Sequence, residues 1–277
     1  MHVSSLYRYP VKSMRGIALE KALIEPIGLA GDRRWMVVDE RGRFVTRREA
    51  PAMAQIEAFE VPEGMLLRHP GQGELVVKTP DAPLADVTIW KDALSIPAAG
   101  SEATEFLSAI VGRPVRLTHK PDSIPRPVDM TYGAAGEEVG LADGFPILVT
   151  TEESLAALNG QLDHTVTMTR FRPNIVLSGT SEAWAEDCWK RIRIGGLVLR
   201  IVKPCARCII VTQDPETGER HHGNEPINTL RQMGRQATNG IIFGQNAIPE
   251  TRAEIAVGDE VEILEEGETN LVPLKKR

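Results

Sequence analysis

Val202-Lys203-Pro204-Cys205-Ala206-Arg207-Cys208-Ile209-Ile210-Val211-Thr212 sets two thiols and a guanidinium directly before a β-branched run. Valine and isoleucine suit a pleated, half-buried surface. Ile209 to Thr212 is therefore expected to be a strand, Leu197 to Val202 another, and Cys205 to Cys208 a reactive loop between them. This reading turns the fold away from a thioredoxin-like unit, where a Cys-x-x-Cys pair opens a helix. A thiolate is both a nucleophile and a soft-metal ligand, and a neighbouring cation favours the charged form. Arg207 is placed to do that for Cys208. Cys188 is the only other cysteine, so neither a four-thiolate zinc site nor an iron–sulfur cluster can be assembled from Cys alone. A zinc site would need Cys188, or His221 and His222, at spacings that match no standard knuckle. A small buried hydrophobe is the alternative for each free thiol.

Outward from this stretch, short alternating runs recur. Val3 to Tyr9, Ala22 to Ile24, Trp35 to Val38, Phe44 to Thr46, Met65 to Arg68, Leu75 to Lys78, Val87 to Ile89 and Leu94 to Pro97 read as strands. Glycines fall between them, and Asp39-Glu40-Arg41-Gly42 reads as a turn, so the first hundred residues look like successive hairpins. A helix is expected over Ser101 to Val111 behind a Ser cap, with Phe106, Leu107 and Ile110 on one face, ended by Gly112 and Pro114. Pro121 to Gly140 is rich in proline, glycine and charge without a period and reads as a linker. In the second half, Ile147 to Val149, Ile175 to Leu177, Ile192 to Ile194 and Val261 to Leu264 read as strands. Thr150 to Glu153 has capping-box spacing before a helix carrying Leu155, Leu158 and Leu162. Pro226 to Gly234 is a further helix candidate. The expected class is α+β, predominantly β, with two β-barrel-like domains and a few short helices. The domains are placed at 1–120 and 121–277.

The chain has 277 residues, 42% hydrophobic and 25% charged, as a globular protein does. No apolar run approaches the roughly 20 residues a membrane helix needs, and no signal-peptide core follows Met1. A cytoplasmic protein, without membrane association, is expected. Three cysteines do not make a disulfide framework. A formal charge of −6 argues against nucleic-acid binding, which depends on excess basic surface. Glycine-rich phosphate loops, nucleophile elbows and His-Glu-x-x-His motifs are all missing from the sequence.

Against that acidic background four basic positions stand out: Lys12-Ser13 after the first strand, Asp32-Arg33-Arg34-Trp35, Arg170-Phe171-Arg172-Pro173-Asn174, and Arg207. Arg170 and Arg172 alternate, so an extended segment would point both to one side. Arginine's planar fork suits phosphate, and Lys, Ser hydroxyl and backbone N–H groups complete such a cradle. A small anion is the expected target.

Six segments in order carry a resemblance: Tyr9-Pro10-Val11-Lys12-Ser13, Gly31-Asp32-Arg33-Arg34-Trp35, Asp143-Gly144-Phe145-Pro146-Ile147-Leu148, Arg170 to Ile175, Cys205 to Cys208, and Phe243-Gly244-Gln245-Asn246. Together they resemble the MOSC family, in the branch with an N-terminal MOSC β-barrel domain that includes amidoxime-reducing and hydroxylaminopurine-detoxifying proteins. The resemblance implies molybdenum held by one molybdopterin and one protein cysteine, here Cys208. It implies cofactor contacts at Lys12, Ser13, Arg33, Asp143, Gly144, Phe145, Arg172, Asn174, Ala206, Arg207 and Asn246. Where family members often carry Ser or Thr, this chain has Ala206, which leaves only a backbone contact there. The implied activity is reduction of small N-hydroxylated substrates, with Cys208 and Asp143 as catalytic groups and Asp143 as a candidate proton donor. Electrons are expected from a separate ferredoxin, flavodoxin or flavoprotein reductase. A persulfide sulfur carrier and a non-catalytic molybdenum-cofactor carrier are the alternatives.

Overall fold

The computed structural model describes residues 1–238 and 240–271. Its largest element is a nine-stranded sheet. Eight strands follow in the order Val261–Glu266, Trp189–Ile194, Leu197–Arg207, Gly240–Pro249, Ile147–Thr151, Ile175–Ser178, His2–Arg8 and Ile17–Leu19. The ninth, Gln236–Ala237, pairs onto Gly240–Pro249. Only Ile147–Thr151 and Ile175–Ser178 run parallel, with Val149 opposite Ile175. Parallel neighbours need a crossover, and the helix Glu152–Asn159 lies on it. The first strand of the chain thus lies beside strands of the second half, and Lys21–Glu25 likewise pairs with Ala253–Ala256.

Smaller sheets make up the rest: a meander of Glu57–Val61, Gly64–His69 and Gly73–Lys78, a hairpin of Leu84–Ile89 with Asp92–Pro97, and the pair Trp35–Asp39 with Val115–His119. The strand-dominated α+β class holds, with three α-helices among the described residues. The expected barrels do not close: the sheets are open. Only one isolated bridge, His2 with Glu260, joins the first strand to the edge beside Val261. Register shifts interrupt the ladders of Trp189–Ile194 and Leu197–Arg207.

One apolar core fills the space under the large sheet, where Val3, Leu6, Ile24, Val149, Ile175, Leu177 and Leu199 meet. Another gathers Trp35, Val37, Met53, Met65, Leu67 and Leu117 beneath the helix Ser101–Val111. That helix buries Ala103 and Leu107 and turns out at Gly112, whose φ of 78° suits glycine. Its cap is Gly100 rather than Ser101, with no side-chain bond. The second helix is capped one residue later than expected, by Thr151, the last residue of the strand, accepting from Ser154 N–H. Phe44 to Thr46 makes only an isolated bridge at Phe44. Ile209 to Thr212 is not a strand but a 3-10 turn that drops Val211 into a core with Phe171 and Leu230. Tertiary packing overrides β propensity there.

Candidate functional site

Three loops are laced together at the end of the first strand. Arg33 N–H donates to Tyr9 O at 2.8 Å, Lys12 N–H to Trp35 O at 2.8 Å, and Leu141 N–H to Arg33 O at 2.7 Å. Gly140 permits the last contact, since a Cβ there would sit 3.0 Å from Arg33 O and 3.2 Å from Asp32 O. The lacing brings Lys12, Ser13, Arg33 and Asp143 to one cavity. From the other side come Arg172 and Asn174, and from the strand end Cys205, Arg207 and Cys208, with Gly144, Phe145 and Asn246 completing the predicted set. Ala206 is the exception: it faces away, exposed, opposite Ile242 in the ladder. The alternation of a strand puts 205 and 207 on one side and 206 on the other.

Five cations, Lys12, Arg33, Arg48, Arg172 and Arg207, line the cavity against the single carboxylate of Asp143. The buried Lys12 ammonium donates to Leu141 O at 3.1 Å and pairs with Asp143. Burial pushes Lys12 below its ordinary value, against the pull of Asp143. Burial would raise Asp143, but Lys12 and the Trp90 indole N–H, 3.2 Å away, outweigh it and hold the acid well below the usual carboxylate range. The carboxylate itself is 63% accessible from the cavity, so solvent screens the pair.

Arg33 is held by Asp32 at 2.6 Å, Asn174 Oδ1 at 3.2 Å and Arg172 O at 3.1 Å. Asn174 is fully engaged inside the protein, since Oδ1 also accepts from Leu148 N–H and Nδ2 donates to Tyr7 O. It orients Arg33. Arg172 donates to Met14 O at 2.6 Å and lies 4.1 Å over the Tyr9 ring, yet no carboxylate pairs with it among the described residues. Burial, then the repulsion of Arg33 and Arg47, lowers it to about 9. Ser13, Arg33 and Arg172 have φ of 68°, 46° and 55°. Left-handed backbone at non-glycine residues is costly and collects at functional sites.

Two expectations fail here. Arg170 and Arg172 do not share a side: Met168–Phe171 is a 3-10 turn, and Arg170 points to Gln213 O at 2.9 Å, outside the cavity. Arg207 does not sit on Cys208 but donates to Cys205 Sγ at 2.8 Å and Phe171 O at 2.6 Å. The extended backbone at 205–207 puts those two side chains together, while Cys208 begins the turn. Arg47 is buried and lowered to about 10 chiefly by desolvation. Sequence reasoning missed Arg47, Thr46, Arg48 and Trp90. The Thr46-Arg47-Arg48 run was visible as a basic pair, but nothing in the pattern linked it to the thiols.

Among the described residues no helix is long and apolar enough to cross a membrane. Residues 1–114 match the MOSC N-terminal beta barrel domain and residues 136–262 the MOSC domain. The chain is 32% identical over 279 residues to mitochondrial amidoxime-reducing component 1 of Xenopus laevis, covering 94% of this chain and 81% of that one. It is 33% identical over 280 residues to the component 1 protein of Mus musculus, covering 95% and 82%. Against the component 1 protein of Homo sapiens the figures are 31% over 281 residues, 95% and 82%.

Proposed function

The chain belongs to the MOSC family, and from that premise we propose that it is a molybdenum-cofactor-dependent oxidoreductase that reduces N-hydroxylated compounds to amines or amidines. The observation that carries the proposal is the cavity itself, where a free thiol and an excess of cations converge in a chain of net charge −6. The donor set supports the group. Among the described residues no cluster of three or more His, Cys, Asp or Glu is assembled. A metal held here needs ligands of its own, and Cys208 adds one soft anionic donor. Lys12, Ser13, Arg33 and Arg172 suit a phosphate. Arg172 in particular is a half-buried cation with no carboxylate in salt-bridge contact among the described residues, a state that a bound anion relieves.

The cofactor, when bound, supplies the two electrons that cleave the N–O bond, so that R–NH–OH with two electrons and two protons gives R–NH2 and water. Cys208 anchors it. Gly144, Phe145 and Asn246 wall the cavity, Asn174 fixes Arg33, Arg207 fixes Cys205, and Ala206 contributes backbone alone. Asp143, held ionised by Lys12, serves in this reading as the counter-ion that aims the ammonium, and the protons come from solvent. The electrons come from a separate donor protein. The division at 1–120 and 121–277 belongs to the same proposal, with the cavity drawing on both units.

The test is elemental analysis and turnover of protein made in a host competent for molybdopterin synthesis. Bound molybdenum with reduction of benzamidoxime and N-hydroxyadenine, driven by a reduced artificial donor, is expected. Cys208→Ala should lower turnover more than about 100-fold, beyond the loss typical of an outer-shell change, while Cys205→Ala keeps part of it. Equal activity of wild type and Cys208→Ala overturns the assignment. Molybdenum without turnover would indicate a carrier, and a labile sulfane sulfur without molybdenum a persulfide protein.

A further inference from the structure

Ile89 pairs with Asp92 in the hairpin Leu84–Pro97, which leaves Trp90-Lys91 as a two-residue turn. Trp90 has a φ of 55°, and Lys91 is not among the positive-φ residues. A two-residue turn with positive φ only at its first central position asks for glycine there. The chain instead places its bulkiest residue type at that point, and burial does not compensate, because the side chain is 47% exposed. A bulky residue that contradicts its local backbone while staying half exposed points toward a functional position.

The contacts of Trp90 say which function. Its indole N–H donates to Asp143, the guanidinium of Arg48 lies 5.0 Å from its ring centre, and Phe44 is tilted against it at 5.1 Å. Asp143 and Arg48 both line the cavity. Phe44 in turn lies 5.5 Å beneath the ammonium of Lys12, another lining residue. Trp90 is not itself part of the cavity lining, but its indole is tied to two residues that are, with nearly half its surface exposed beside them.

We propose that Trp90, backed by Phe44 and Arg48, is a stacking wall that selects planar N-hydroxylated substrates, aryl amidoximes and N-hydroxylated purines, over small aliphatic ones. The proposal rests on the reductase reading and narrows its substrate class. Flat delocalised rings stack on an indole face, and a guanidinium beside it adds a cation–π contact. A methyl group in place of the aryl ring has no such surface to offer.

Trp90→Gly and Trp90→Phe, compared with wild type using a small-molecule electron donor, test it. Glycine suits the turn, so Trp90→Gly should unfold at the same or a higher temperature. Its KM for benzamidoxime should rise about three- to tenfold, with kcat little changed and acetamidoxime unaffected. Trp90→Phe keeps a ring but loses the bond to Asp143, and should retain most of the preference. Equal rises for benzamidoxime and acetamidoxime would overturn the proposal, as would a Phe variant as impaired as the Gly variant. So would unchanged constants with the small donor together with a raised KM for a protein donor, which would mark a docking surface. If wild type turns over neither substrate, the reductase reading falls. Calorimetric titration of benzamidoxime into wild type and Trp90→Gly still decides the wall, because equal affinities remove it.

Discussion

Asp187 and Arg235 form a buried pair of opposite charges, whereas the cavity beside the half-buried Arg172 gathers charge mostly of one sign. In the first, each side chain is 6% exposed and the guanidinium meets the carboxylate at 2.5 and 3.0 Å. Gln245 donates to the same acid at 2.6 Å, and Trp184 lies against the cation at 4.1 Å. One acid balances one base. In the second, five cations line a space that holds one carboxylate, and the Arg172 guanidinium donates to a carbonyl and lies over a ring, with no carboxylate in salt-bridge contact among the described residues. A closed charge balance makes structure, whereas an open one makes a site, because only a ligand can complete it.

Breaking the balanced cluster should have the largest effect. Asp187→Ala strands Arg235 in the core and is expected to cost about 3–5 kcal/mol in denaturant unfolding. Arg172→Met should behave in the opposite way. Removing an uncompensated cation is expected to change the stability of the ligand-free protein by no more than about 1 kcal/mol. Retention of the phosphate-bearing cofactor should nevertheless fall at least about tenfold, the worth of one charge-assisted bond. An Arg172→Met protein as unstable as Asp187→Ala would erase the distinction between the two clusters.

The contrast also explains what the sequence disclosed. Lys12, Arg33, Asp143, Arg172 and Cys208 were named from the resemblance of their short segments to the family, and the fold brings all five to the lining of one cavity. The strand positions of Val3, Trp35, Ile175 and Leu199 were legible from alternation alone. Pairing partners were not. No local pattern tells that Cys205 rather than Cys208 receives Arg207, or that Val211 turns inward, since both depend on where the chain bends after residue 207. Trp90 was hidden for a related reason. Its conflict with the backbone exists only once Ile89 is known to face Asp92, and a one-residue change of register would move the tryptophan off the turn position.

The smallest effect tests the pair of Lys12 and Asp143, both of which line the cavity. Burial alone drives Lys12 down, and the carboxylate opposes that drive. Asp143→Asn removes the opposition, so the ammonium should lose its proton at a lower pH than in wild type. As pH rises toward the ordinary lysine value of about 10.4, cofactor retention by the variant should therefore fall away earlier than that of wild type. On the acid side the sign reverses. A carboxylate with a depressed folded pKa contributes stability above its unfolded value near about 4, and that contribution is lost as pH falls through the folded value. Wild type should exceed Asp143→Asn in stability at neutral pH by a margin kept small by solvent at the 63% accessible carboxylate, and the margin should close only in strong acid. Retention curves that coincide across the alkaline range would show that the other four cations hold the ligand without this pair, and that its role is confined to positioning Trp90 through the shared oxygen.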